Sequence, residues 1–157
     1  YENIKLPEKF TYKKNDYAIS MPGVIYKNNG DIGDYTPVNQ ILEDSVRHSA
    51  VLVHKDQLLI FYTRKGDKPE RIFMSKVNLK KPAILWKASE KIEVLRPEED
   101  WEGANLPLYE STASAINTPV NQLRDPAIFV EGEKIYLLYA VRGENGIAIA
   151  KINIKEL

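Results

Sequence analysis

The chemistry-bearing side chains of this sequence gather at two places that match each other. Arg47-His48 stands ahead of one apolar run, and Arg124-Asp125 stands ahead of a second run 77 positions later. A guanidinium beside an imidazole or a carboxylate can bind anions or move protons. His48 could donate to a substrate, act as a general base or hold a metal, or it could bond a neighbouring structural unit. His48 and His54 are the only two histidines, so a site needing three or more is excluded within the chain. Arg47 and Arg124 could grip a carboxylate or sulfate group, or could brace Asp125, Glu70 or Glu144 in a salt-bridge network. Asp125 itself could serve a ligand, or could cap its strand and pair with Arg124 or Arg47. There is no cysteine, which removes thiolate metal sites, disulfides and cysteine nucleophiles. Glycine-rich phosphate loops, metalloprotease helix motifs and serine elbows are missing too, and no cofactor is implied.

The elements that must carry these residues come from an internal repeat. The segment 47–62 aligns with 124–139, and 72–80 aligns with 147–155. Upstream, Thr36-Pro37-Val38-Asn39-Gln40 recurs as Thr118-Pro119-Val120-Asn121-Gln122. Each copy reads as β-strands. Residues 50–53 and 57–62 are β-branched and aromatic runs broken by the polar turn His54-Lys55-Asp56. Their counterparts are 127–130 and 134–141, broken by Glu131-Gly132-Glu133. Third strands are expected at 71–79 and 146–154, and a fourth, at 91–95, only in the first copy. Residues 17–26 and 35–40 read as the third and fourth strands of a preceding unit, giving nine strands in all. No segment has a capped helical period. Four antiparallel strands per repeat with a longer connection is the pattern of a propeller blade. The chain holds only a little over two such units, so it is either a portion of a longer propeller, an oligomerising half, or a small sandwich.

The boundaries follow: residues 12–43 end one blade, 47–96 form a complete blade, 97–123 form a long connection and 124–157 begin the final blade. Lys+Arg and Asp+Glu number 22 each, so no net field gathers a polyanion and nucleic-acid binding lacks its usual footprint. No apolar run is long enough to span a bilayer as a helix. The first residue, Tyr1, reads as the start of a processed product or a fragment.

Arg124-Asp125-Pro126 with the following apolar run, the glycine turn, 135–139 and 146–150 resembles the blade signature of five-bladed propeller glycoside hydrolases. These are the families around arabinanases, xylosidases, fructosidases and levansucrases. Residues 69–72, 95–104 and 143–147 also look like a branch of bacterial proteins assigned as glycosidases. The resemblance implies an all-β partial five-bladed propeller, and it matches the C-terminal blades. It therefore implies that the family's principal catalytic positions lie elsewhere.

On this resemblance the aspartate of the Arg-Asp-Pro motif holds sugar hydroxyls or tunes an acid, a role suited to a carboxylate that accepts two hydrogen bonds. Glycoside hydrolysis needs two carboxyl groups flanking the scissile bond. Asp125, Glu102 and Glu144 are the expected catalytic carboxyls, with Glu70, Glu110 and Asp67 also on the presumed pocket face. Arg47, His48, Arg124, Glu70 and Trp101 are the expected substrate contacts, Trp101 as a stacking platform or as a plug between blades. The expected function is a carbohydrate-active propeller cleaving a glycosidic bond, or a non-catalytic carbohydrate-binding or scaffold fragment. Its expected partners are a carbohydrate and either the remaining blades or further copies of the chain.

Overall fold

The computed structural model describes residues 8–154. Three antiparallel sheets follow one another along the chain, each a simple meander. The first contains β1 (Glu8–Tyr12), β2 (Asn15–Ser20), β3 (Val24–Asn28) and β4 (Tyr35–Gln40). The second contains β5 (Val46–His54), β6 (Gln57–Arg64), β7 (Ile72–Asn78) and β8 (Ile92–Leu95), with a short 3-10 turn at Ala83–Leu85. The third has three strands, β9 (Arg124–Glu131), β10 (Lys134–Ala140) and β11 (Ile147–Ile152). The fold is all-β among the described residues, and the three sheets do not close on themselves.

Side-chain alternation in β6 explains how the sheets stack. Leu58, Ile60 and Tyr62 point to one face, and Leu59 and Phe61 to the other, as the two-residue period of a strand requires. All five are buried. The first set joins Phe10, Tyr17, Ile19 and Ile25 of the first sheet, with Trp86 closing the edge against the Phe10 and Tyr17 rings. The second set joins Leu137, Tyr139 and Val141 of the third unit. The middle sheet is thus covered on both sides, which is why its strands read as continuous apolar runs rather than alternating ones. The outer sheets are covered on one side only: β11 alternates exposed and half-buried, leaving Ile147 and Ile149 open.

Two readings of the sequence need correction. The first unit has four strands, not two, and the described strands number eleven, not nine. The stretch 17–26 is two strands, because Met21-Pro22-Gly23 turns the chain; Gly23 takes φ +98° there, a left-handed conformation that suits glycine. β1 is only five residues long, opens on the charged pair Glu8-Lys9 and buries Phe10 alone, so its sequence does not stand out as a strand. Its order comes from register with β2 (Phe10 opposite Tyr17) rather than from propensity.

The first strands of the three sheets, β1, β5 and β9, are neighbours, β1 lying against β5 and β5 against β9.

Candidate functional site

β5 and β9 carry the same irregularity. Val46 faces Arg64 and Ser49 faces Tyr62, so Arg47 and His48 together oppose the single residue Thr63. Arg124 faces Ala140 and Ala127 faces Leu138, so Asp125 and Pro126 together oppose Tyr139. Such a bulge bends a strand and re-aims its side chains. In both copies the result is the same: the arginine turns into the protein and the next residue turns toward solvent.

The inward pair closes on Glu70. Its carboxylate accepts from Arg47 Nη1 at 2.8 and 3.0 Å, from Arg124 Nε at 2.9 Å and from Ser111 Oγ at 2.5 Å. Glu70 and Arg124 have no exposed side-chain surface and Arg47 keeps 3%. Arg124 also donates to Gln122 Oε1 at 3.0 Å and to Glu144 Oε1 at 2.5 Å. A buried carboxylate with this many charge-assisted donors is satisfied on all sides. The expectation that Arg47, Arg124 and Glu70 contact substrate gives way, within the described residues, to bracing. Glu70 comes from the β6–β7 loop and Ser111 from the long connection, so one carboxylate ties two strands and two loops together.

The outward pair is His48 and Asp125. The His48 ring donates through Nδ1 to Asp125 Oδ1, across the gap between sheets. Both side chains remain accessible, at 51% and 35%. Asp125 holds a left-handed φ of +46°, which aspartate tolerates better than most residues but which still carries strain. Burial by itself would raise the Asp125 carboxyl. The His48 hydrogen bond and the charges of His48, Arg47 and Arg124 outweigh it and hold the group below its ordinary 3.8. The pair lines a cleft of about 220 Å³ whose walls include Glu8, Ile19, Met21 and Pro126. Three sheets contribute to it.

The other expected residues lie apart from this cleft. Glu102 is buried; its Oε2 accepts from the backbone N–H groups of Glu98 and Glu99 at 2.9 and 3.2 Å, and its Oε1 from Tyr139 Oη at 3.0 Å. That places it as a brace for the connection 97–123, not as a free acid. Burial, with the Glu102 hydrogen bond and charge, pushes the Tyr139 phenol up to about 12, so it stays a donor. Glu144 is committed to Arg124. Trp101 is 54% exposed and does not plug a gap between sheets. Asp67 is nearly buried beside Arg64 and Arg71, each at 3.9 Å, and burial raises its carboxyl above 3.8 despite both arginines. Glu110 is exposed, and His54 sits at the far end of β5.

The connection is folded against the β10–β11 turn, where Arg142 N donates to Glu102 O at 2.9 Å and Gly143 N to Gln122 O at 3.0 Å. At Gly143, with φ +75°, a Cβ would stand 2.8 Å from Ile116 Cγ2, so only glycine allows this approach.

Two contributors escaped sequence reasoning. Ser111 lies in a loop without periodicity, and Glu8 lies in the overlooked β1. The signal for Glu8 was faint: Tyr12-Lys13-Lys14-Asn15 is a polar turn between an aromatic-containing run and an apolar one.

No family model matches the chain. An uncharacterized protein of Acanthamoeba polyphaga mimivirus is 44% identical over 108 residues, which is 68% of this chain but 30% of that protein. The chain therefore spans about a third of the length of this curated relative, which is viral rather than bacterial. Among solved structures, the alpha-L-arabinofuranosidase from Lactobacillus brevis superposes with a TM-score of 0.57 at 14% identity, covering 92% of this chain and 47% of that one. At that identity the similarity establishes a distant relation of fold.

Proposed function

We propose that the chain is a portion of a five-bladed β-propeller that receives one sugar residue of a carbohydrate in the cleft of His48 and Asp125. The observation that carries this is the duplicated bulge. Two copies of one strand, 77 residues apart, deliver an imidazole and a carboxylate to the same small cavity. Bulges recur beside functional sites, and a strained non-glycine residue held by its surroundings is a further mark of one. The cleft is smaller than the roughly 300–1,000 Å³ of drug-sized sites, which suits a single ring. Its aliphatic walls suit sugar C–H faces, and an ionised Asp125 suits a pair of hydroxyls. The arabinofuranosidase neighbour favours a glycoside hydrolase setting. The half-covered outer sheets, with Phe129, Ile147 and Ile149 exposed, favour neighbouring blades supplied by a longer chain or by another copy.

A non-catalytic, sugar-binding reading draws support from a specific observation: Glu102 and Glu144 are both engaged in bracing contacts. Chemical-shift mapping of the isotope-labelled chain against methyl furanosides and pyranosides, L-arabinofuranosides included, tests the binding claim. Shifts centred on His48 and Asp125, weakened in Asp125→Asn, are expected. Shifts confined to other faces, or none, refute it. Turnover of aryl glycosides then separates hydrolase from binding module.

A further inference from the structure

The cleft contains a second carboxyl that neither the repeat nor the arginine network accounts for. Glu8, at the start of β1, lines the same 220 Å³ cavity as His48 and Asp125. It reaches the site because β1 lies against β5, and because its register opposite Ile19 places it beside the aliphatic wall. We propose that Glu8 is the proton-donating carboxyl of this cleft and forms with Asp125 an acid–base pair for a ring-sized glycoside, Glu8 protonating the glycosidic oxygen and Asp125 taking the proton of the attacking water. The inference rests on the reading of the cleft as a sugar site, and goes beyond it by naming the donor.

The electrostatics agree with that division of labour. Burial raises the Glu8 carboxyl above 4.5, while the His48 hydrogen bond and nearby positive charges overcome burial and lower Asp125. Two carboxyls driven apart by their surroundings take opposite roles, the raised one as acid and the lowered one as acceptor. The charged groups around the cleft explain the difference. His48, Arg47 and Arg124 serve Asp125, whereas Lys9, the cation next to Glu8 in sequence, reaches away over the Tyr35 ring. Glu8 is an exposed residue although its carboxyl is partly desolvated, so a spent proton can be replaced. In a hydrolytic turn the Glu8 proton goes to the glycosidic oxygen as the carbon–oxygen bond breaks toward that oxygen. A water adds to the anomeric carbon and gives its proton to the Asp125 carboxylate. The products are an alcohol and a free sugar, and solvent restores both carboxyls.

The test uses the full chain, wild type and Glu8→Gln, titrated with the methyl glycoside that gives the largest shifts at His48 and Asp125, across pH 4 to 8. A protonated Glu8 donates to the ligand, so wild-type affinity should fall about threefold to tenfold as pH rises through the Glu8 titration. In Glu8→Gln the amide donates at every pH, so this dependence should vanish. Any dependence carried by other groups persists in both proteins and cancels in the comparison. Where aryl glycosides turn over, Glu8→Gln should lose about 10²–10⁴ in rate on poor leaving groups and much less on dinitrophenyl ones. A ligand that perturbs His48 and Asp125 with the same pH profile in both proteins overturns the Glu8 assignment alone. A cleft that binds none of the glycosides overturns the sugar reading, and this proposal with it.

Discussion

Replacing Glu70 by glutamine tests whether the buried bracing holds the unit together. Glu70 Oε2 accepts from Arg47, Arg124 and Ser111, and Oε1 accepts a further bond from Arg47. Glutamine keeps one acceptor and turns an amide NH₂ toward guanidinium and hydroxyl donors. Arg124 retains Glu144, but Glu70 is the one acid within ion-pair distance of Arg47 among the described residues. An uncompensated charge at 3% exposure is the case in which breaking a buried pair costs about 3–5 kcal/mol. That is a large part of the 5–15 kcal/mol by which typical domains are stable. At about 2–4 °C per kcal/mol for a chain of this size, Tm should fall by about 6–20 °C. Urea unfolding with a common slope, checked by calorimetry, measures it. Replacing Arg47, Glu70 and Arg124 together by Met, Leu and Met should cost much less, because the one charge that loses its partner, Glu144, is 31% exposed and can be hydrated. A Glu70→Gln loss below about 1 kcal/mol would refute the reasoning, showing that water reaches the guanidiniums.

Tyr139→Phe removes the hydroxyl that serves Glu102 Oε1 and should cost about 1.5–3 kcal/mol in urea unfolding, the usual worth of a hydrogen bond to a charged group. Because the folded phenol is raised from 10 to about 12, its stabilising share is complete below pH 10 and is lost as pH climbs through 12. The alkaline fall in stability should therefore be shallower in Tyr139→Phe. Asp125 has the opposite sign: its folded carboxyl lies below 3.8, so its contribution is present above pH 3.8 and disappears as pH drops through the folded value. Asp125→Asn, whose residue tolerates the φ of +46°, should show a gentler acid limb. The difference should be no more than about 1 kcal/mol, since the pair is solvent-accessible.

The repeat carried much of this protein in plain view. The pairing of 47–62 with 124–139 placed β5, β6, β9 and β10 because β-branched and aromatic runs bounded by polar turns have few other uses. It also put Arg47 with Arg124 and His48 with Asp125, since equal positions in equal strands must share a level. β1 was not legible, because five residues with one buried side chain, Phe10, carry too little alternation to mark a strand without its partner.

Which side each chemical group faces was a tertiary decision. Sequence placed Arg124 and Asp125 next to each other but could not say that one would be sealed against Glu70 and the other opened to a cleft. That split depends on a bulge, an extra residue visible only as a register shift against Tyr139. The same holds for Glu102: its neighbour Trp101 suggests a free acid, but Tyr139 and two backbone N–H groups donate to its carboxylate. Local composition determined that this chain folds as repeated antiparallel sheets. The packing of three sheets around β1, β5 and β9 decided which carboxyls were consumed as braces and which, Asp125 and Glu8, were left facing a cavity. The reason is physical: burial and pairing are properties of the assembled surfaces, and no single strand possesses them.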